Sequence, residues 1–375
     1  MKIAIVRPPH AKNNTAFSPQ VDIYEYLSNK YGADITIFAD IQNKFKNDKL
    51  NVKEVHAIDG KIARFALHSL KLPYYHYKVP STHLKKFDVI ETSDPTFYTY
   101  SYYAYLTAKK YNIRLTTGSS ITLPNLFNAN KYIMLKLASK VIDYAFKVTN
   151  ATPKAKERFV KLGFLKEDTK KSVIIGHPIN TEIFKPMDIE KKSEITILSV
   201  GRLDYTKGHK FLIKAMAELI KETDVELLIA GVGKYKSNLV KLIKYYNLEN
   251  SIKLLGLVPR EKLPELYNKA DIFALHSLST PKWEEYFGVV LAEAMACGKP
   301  VISTRTGGIP YVVPDGKAGF LTEQKDIDEL VSKLDLLIND SKLRRKMGQY
   351  GRKHVLENFK LEKLADRWYW EIYNA

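Results

Sequence analysis

The run Ile195-Thr196-Ile197-Leu198-Ser199-Val200 leads straight into Gly201-Arg202-Leu203-Asp204-Tyr205-Thr206-Lys207-Gly208. The first part has the length and apolar, β-branched character of a buried strand. Gly201 permits a tight turn at the strand's carboxyl end, which is where ligands bind in doubly wound sheets. Arg202 and Lys207 then bring two positive charges to that end, one a planar fork and one a point charge. A strand feeding a basic loop in this way predicts an α/β fold with an anion site at the sheet edge. The competing reading is a solvated loop.

Outward from this segment the pattern repeats. Short apolar runs stand at residues 2–6, 34–38, 88–91, 114–117, 146–149 and 172–175, and again at 195–200, 226–230, 252–255, 272–275 and 301–303. Helical periodicity fills the gaps. Strand–helix alternation at this spacing predicts parallel, doubly wound sheets. Two sets of runs in 375 residues predict two Rossmann-like domains. Lys185-Pro186 and the charged residues 188–192 interrupt the apolar pattern, so the join is expected there, with domains over 1–186 and 187–355. Leu361, Leu364, Ala365, Trp368 and Ile372 form a helical stripe beyond the last strand, and this helix over 356–375 needs an apolar surface of its own.

Composition narrows the class. The single cysteine, Cys297, excludes an intrachain disulfide and a cysteine zinc site. No charged leader with an apolar core opens the sequence, and no apolar stretch approaches a membrane span, so a cytoplasmic protein is expected. The net charge is +18, concentrated in residues 1–190. Between Asp94 and Asp143 no acid occurs, while Lys109, Lys110, Arg114, Lys131, Lys136 and Lys140 do. Such a field attracts phosphates or an anionic membrane surface, unless the lysines only solvate the protein. Nucleic acid is not expected, because no recognition motif accompanies the charge. The tyrosine-rich stretch 97–105, with Tyr74, Tyr75 and Tyr77, reads as a partly buried helix face or as an amphipathic surface for lipid or sugar rings.

Glu285-Tyr286-Phe287-Gly288-Val289-Val290-Leu291-Ala292-Glu293 carries the sharpest chemistry. A helix beginning near Phe287-Gly288 places Glu293 roughly below Glu285, a little over two turns away. Its amino end offers free N–H groups to a phosphate. One carboxylate then suits ribose hydroxyls and the other the hydroxyls of a sugar. The bland alternative is an amphipathic helix with two exposed glutamates.

Together these blocks resemble glycosyltransferase family 4, retaining enzymes of GT-B fold. The resemblance rests on Gly201-Arg202-x4-Lys207-Gly208, Gly231-Val232-Gly233, Ala270-Asp271-Ile272-Phe273 before Glu285-x7-Glu293, Thr306-Gly307-Gly308-Ile309-Pro310, and Asp315-Gly316-x2-Gly319-Phe320-Leu321. It covers about residues 195–325, with a weaker match at Ile179-Asn180-Thr181-Glu182-x-Phe184-x-Pro186. It implies two Rossmann-like domains facing across a cleft, with the last helix crossing back to the amino-terminal domain. Arg202 and Lys207 would bind the donor diphosphate, Glu285 the transferred sugar or its reaction centre, and Glu293 the ribose. Gly201, Gly233, Phe287, Gly288 and Val289 would border phosphate and sugar, and Val258 the nucleobase. No metal and no cofactor are implied, because two cations and a helix end serve the leaving diphosphate. The nucleotide sugar, UDP- or GDP-linked, is a substrate. The acceptor would be a glycan or lipid-linked, at the cytosolic leaflet. The first domain departs from the family. Its first loop reads Arg7-Pro8-Pro9-His10, without the usual glycine pair, and Leu115-Thr116-Thr117-Gly118-Ser119-Ser120 lacks the usual histidine. His10 and Ser119 are the acceptor-side candidates. A sugar-nucleotide epimerase and a catalytically silent binding protein of the same fold remain the alternatives.

Overall fold

The computed structural model describes residues 1–6, 19–40, 49–55, 79–96, 99–123, 131–190 and 193–375. The chain divides into two units, Met1–Pro178 with Leu361–Ala375, and Ile179–Lys360.

In the first unit β1 (Lys2–Val6), β2 (Asp34–Asp40), β3 (Asn51–Val55), β4 (Val89–Thr92), β5 (Arg114–Ser119), β6 (Lys147–Asn150) and β7 (Ser172–Ile174) form one parallel sheet. The order is β3-β2-β1-β4-β5-β6-β7. Ile3, Ala4, Ile5, Val89 and Ile90 are wholly buried, as strands covered on both faces require. The helices between them are α1 (Pro19–Tyr31), α2 (Thr99–Tyr111), α3 (Lys131–Tyr144) and α4 (Pro153–Lys161). α4 begins where the Thr152 side chain accepts from the Ala155 N–H at 3.2 Å, with proline at the first helical position.

The second unit repeats the plan. β8 (Ile195–Val200), β9 (Val225–Ala230), β10 (Ile252–Gly256), β11 (Ile272–Leu275), β12 (Val301–Thr304) and β13 (Gly319–Thr322) are parallel, in the order β10-β9-β8-β11-β12-β13. Its helices are α5 (His209–Leu219), α6 (Lys236–Tyr245), α7 (Leu263–Lys269), α8 (Val289–Ala296), α9 (Ile327–Asn339) and α10 (Ser341–Asn358). In both sheets the winding reverses at the first strand. The switch points therefore lie between β1 and β4 and between β8 and β11.

The last helix, α11 (Leu361–Arg367), and the π-helical turn Trp368–Tyr373 belong to the first unit, as the apolar stripe requires. Leu361, Leu364, Ala365, Trp368 and Ile372 join the core built on β1, β2 and α1. Tyr369 stacks on Tyr31 at 3.9 Å, and Lys30 pairs with Asp366 at 2.8 Å. Trp368 donates to Glu91 at 3.0 Å, and Tyr24 and Tyr373 donate to the same carboxylate.

Two expectations are corrected. The boundaries fall at 178/179 and 360/361 rather than 186/187 and 355/356. The Ile179 N–H donates to the Phe359 carbonyl at 2.8 Å, and Phe184 is wholly buried in the second unit, so the connecting segments are tied there. Strands β3 and β13 had no counterpart among the apolar runs. Both are edge strands, and β3 buries only Val55. The tyrosine stretch 97–105 is in part core, since Tyr100 and Tyr105 are buried and Tyr105 packs edge-on against Tyr144 of α3. Phe97 and Tyr98, like Tyr74, Tyr75 and Tyr77, lie outside the described residues. Among the described residues no helix is long and apolar enough to cross a membrane.

Candidate functional site

At the end of β8 the Gly201 N–H donates to the Ala230 carbonyl at 3.0 Å, and the chain turns outward. The Asp204 carboxylate accepts from the N–H groups of Thr206 and Lys207 at 3.0 and 3.2 Å. That cap winds Tyr205–Lys207 into a single 3₁₀ turn. Gly208 closes it at φ 66°, and a Cβ there would lie 1.7 Å from the His276 carbonyl oxygen. Only glycine fits, so the basic loop lies directly on the end of β11.

This placement brings Lys207 onto Glu285. The two form an ion pair with side chains only 13% and 12% exposed, and the ammonium lies 4.9 Å from the centre of the Trp283 ring. Ser277, just past β11, donates to the same carboxylate at 3.2 Å. The loop after β12 holds the Glu285 backbone, with the Gly308 N–H on its carbonyl at 2.8 Å. Gly307, at φ 56°, lies so close that a Cβ would sit 1.8 Å from that oxygen. Three strand ends thus converge on one carboxylate–lysine pair across the switch point between β8 and β11. Arg202, on the same loop as Lys207, is 68% exposed and pairs with Asp204 at 3.3 Å.

Glu293 faces elsewhere. Gly288 is left-handed, at φ 85°, and α8 starts only at Val289. The helix thus starts beside Phe287-Gly288, as expected, with Glu285 ahead of it, and the two glutamates take separate partners. Glu293 is buried. Its Oε2 accepts from the Tyr267 hydroxyl at 3.0 Å and its Oε1 from Arg260 at 3.1 Å. Burial pushes its carboxyl above the ordinary value, and Arg260 pulls the other way. Arg260 is 32% exposed and lies over the Phe184 ring at 5.3 Å.

The remaining candidates distribute as follows. Phe287 is buried edge-on against Phe359, so its backbone rather than its ring is what can border a ligand. Gly233 lies against Leu203, whose N–H donates to the Val232 carbonyl at 3.0 Å, beside the basic loop. Val258 packs on the core below the loop that leads to Arg260. Ser119 is buried, donating to Asp94 and accepting from the Ile121 N–H at 3.0 Å. That carboxylate is held in turn by Arg158, at 3.0 Å, with both side chains almost wholly enclosed. Ser119 is therefore part of a buried scaffold rather than an open acceptor group. His10 lies outside the described residues.

Four partners were not legible as site residues. Arg260 directly follows Val258-Pro259, and Trp283 stands two positions before Glu285, so both had a positional signal. Tyr267 and Ser277 had none. Two buried histidines underlie the loop. His209, hydrogen-bonded to Ser199 at 3.2 Å, and His276, accepting from the Lys325 N–H at 3.0 Å, are each pushed down to about 4 by burial. Among the described residues no three His, Cys, Asp or Glu side chains group together as a metal site.

Residues 180–354 match the family described as glycosyl transferases group 1, nearly the whole of the second unit. The second unit is thus similar to that family along nearly its whole length. Curated relatives agree with this. N-acetyl-alpha-D-glucosaminyl L-malate synthase of Bacillus anthracis is 32% identical over 188 residues, 50% of this chain and 47% of that protein. D-inositol 3-phosphate glycosyltransferase of Corynebacterium jeikeium is 36% identical over 164 residues, 42% and 38% of the two chains. The chain thus spans half or less of the length of these relatives. Solved structures match over both units. HepE of Anabaena, in complex with UDP, superposes with a TM-score of 0.77 at 18% identity over 100% of both chains. A glycosyltransferase from Rickettsia africae gives 0.77 at 22% identity, over 99% of this chain and 97% of that one. At such identities the likeness establishes the fold, that of the GT-B glycosyltransferases. The Lys207–Glu285 cluster and Glu293 both lie inside the matched residues.

Proposed function

We propose that this chain transfers a hexose-type sugar from a nucleoside diphosphate sugar to a hydroxyl acceptor, with retention at the anomeric carbon, as an enzyme of glycosyltransferase family 4. The observation that carries this reading is the Lys207–Glu285 pair at the switch point, with Arg202 exposed on the same loop as Lys207. Arg202 and Lys207 hold the leaving diphosphate in place of a divalent cation. Glu285 orients the hydroxyls of the transferred sugar. The acceptor oxygen bonds to the anomeric carbon on the face from which the diphosphate leaves, and the acceptor proton passes to the departing phosphate oxygen. Charge grows on that oxygen in the transition state, so cations fixed there lower the barrier more than they strengthen ground-state binding. Glu293 receives the ribose. A carboxylate has about four lone-pair positions, and Tyr267 and Arg260 use only two of them.

The acceptor is read as phosphate-bearing or lipid-linked, met at an anionic membrane surface. The Corynebacterium relative is named for an inositol phosphate. On α3, Tyr132 and Ile133 are 78% and 49% exposed, and Lys136 and Lys140 are exposed beside them. Rings and lysines of this kind favour the interfacial zone.

A hydrolysis and transfer screen over UDP-, GDP- and ADP-sugars tests the reading, with the anomeric configuration of the product followed by NMR. Turnover of one donor class, unchanged in EDTA and with retained configuration, is expected. Inversion, or turnover restored only by Mg²⁺ or Mn²⁺, contradicts the mechanism. Flotation of the protein with anionic vesicles at low salt tests the membrane half, and a protein that ignores such vesicles removes it.

A further inference from the structure

Between α5 and α6 of the second unit runs an open groove of about 380 Å³, within the usual range for small-molecule sites. Lys210 and Lys214 come from α5, and Asn238, Lys241 and Tyr245 from α6, with Tyr235 at the near end. Among the described residues no ion pair joins Lys210, Lys214 or Lys241. No acid occurs between Asp204 and Glu218, nor between Glu226 and Glu249. Glu218, the first acid after Lys214, is taken by Lys221 at 2.6 Å. Lysines on other helices are neutralised one turn away, as Lys161 is by Glu157 and Lys269 by Glu265. Lys210, Lys214 and Lys241 line one groove together, and like charges held along one surface favour a bound counter-charge. Tyr235 at the near end is held by ring contact. Lys210 lies 4.5 Å over Tyr205, whose ring meets Tyr235 edge-on at 6.2 Å, while Tyr245 is 77% exposed at the mouth.

We propose that this groove is a second anion site, distinct from the Arg202–Lys207 loop, that takes a ligand bearing two or more phosphate groups. Lysine is a point-charge phosphate binder with three rotatable donors, so three of them suit a flexible multivalent phosphate rather than a single planar carboxylate. The tyrosine hydroxyls and the Asn238 amide supply neutral donors around it. Arg202 and Lys207 do not line the groove, so a ligand there does not compete directly for the donor. The phosphates can belong to a soluble molecule or to a lipid headgroup, and the same side chains serve both.

The test uses the full chain carrying Arg202→Ala and Lys207→Ala, which removes the cations of the donor loop. Inorganic tripolyphosphate is titrated calorimetrically at about physiological salt, where diffuse surface attraction is screened beyond roughly 8 Å. The groove variant adds Lys210→Gln, Lys214→Gln and Lys241→Gln. A charge-matched control instead adds Lys154→Gln, Lys161→Gln and Lys166→Gln, on or next to α4 of the first unit. All six lysines reach solvent, and thermal melting checks that both variants stay folded. The expected result is an affinity loss of at least about tenfold in the groove variant and less than about twofold in the control. Flotation with phosphatidylglycerol vesicles, run on the same proteins, identifies the source. Loss of flotation confined to the groove variant assigns a lipid phosphate, and loss confined to tripolyphosphate binding assigns a soluble one. Equal losses in groove variant and control, or no loss in either, overturn the proposal.

Discussion

The two units share one strand order and one switch point, yet they spend the ends of their strands differently. In the second unit the loops after β8, β11 and β12 bring Lys207, Ser277 and Glu285 together, with Arg202 on the same loop as Lys207 and part of each charge still reachable from solvent. In the first unit the ends of β4 and β5 close on a buried ion pair. Asp94, past β4, takes Arg158, Ser119 and Thr96, and Arg158 goes on to the Leu123 carbonyl at 2.7 Å. Topology therefore creates the crevice in both units. Whether charge at its rim stabilises the fold or faces a ligand depends on whether its partners leave acceptor positions open: Asp94 has four donors and Glu293 two.

That contrast can be broken by mutation. The largest effect is expected from Arg158→Ala, which strands a buried carboxylate. A loss of about 3–5 kcal/mol in the first unit is expected, read as an earlier urea transition. A loss under about 1 kcal/mol would place Asp94 and Arg158 among ordinary surface pairs. Lys207→Ala is expected to leave the fold intact and cut transfer by about 10²–10³, with affinity for donor falling less, as for a lost oxyanion donor. Comparable losses in kcat and in stability would instead make the pair a structural one.

Acid provides a third discriminator. His209 and His276 hold their protons only below about pH 4 when folded and below about 6.5 when unfolded. Between these values the unfolded chain binds more protons, so stability is fully present above pH 6.5 and is lost as pH falls toward 4. The loss approaches about 3 kcal/mol per histidine. His209→Gln should flatten this slope in denaturation curves of the second unit, and an unchanged slope would mean that the ring titrates freely. The smallest effect is expected at Arg260. It is partly exposed, so Arg260→Gln should weaken nucleoside diphosphate binding by about fivefold, in line with about 1 kcal/mol for such a pair. Because burial already raises the Glu293 carboxyl and Arg260 opposes this, the weakening should deepen as pH falls. A pH-independent loss would separate Arg260 from the ionisation of Glu293.

The periodic apolar runs made most strands readable, because a strand covered on both faces must be apolar throughout. β3 escaped because it buries only Val55, and β13 because Gly319 and Thr322 leave it just two apolar residues, Phe320 and Leu321. The loop residues Arg202 and Lys207 were readable because a strand end, a glycine and a charge lie together in sequence. Tyr267 and Ser277 were not, since each meets its glutamate only through the packing of another element. Glu285 and Glu293 were readable as a spacing, but their separate partners were not. The left-handed Gly288 sends one carboxylate to Lys207 and the other into the core. In the first unit neither Asp94 nor Arg158 carried a signal, because their pairing spans long-range contacts that no local pattern encodes.

The central claim is that the strand ends of the second unit, rather than those of the first, hold the nucleotide. Isothermal titration of UDP, GDP and ADP into wild type, Glu293→Ala and Ser119→Ala tests it most directly. One nucleotide is expected to bind wild type best. Glu293→Ala should lose about 1.5–3 kcal/mol of that affinity, the worth of a hydrogen bond to a charged acceptor. Ser119→Ala should bind as wild type does. Unchanged affinities for all three nucleotides in Glu293→Ala, or a loss that appears in Ser119→Ala instead, would contradict the account.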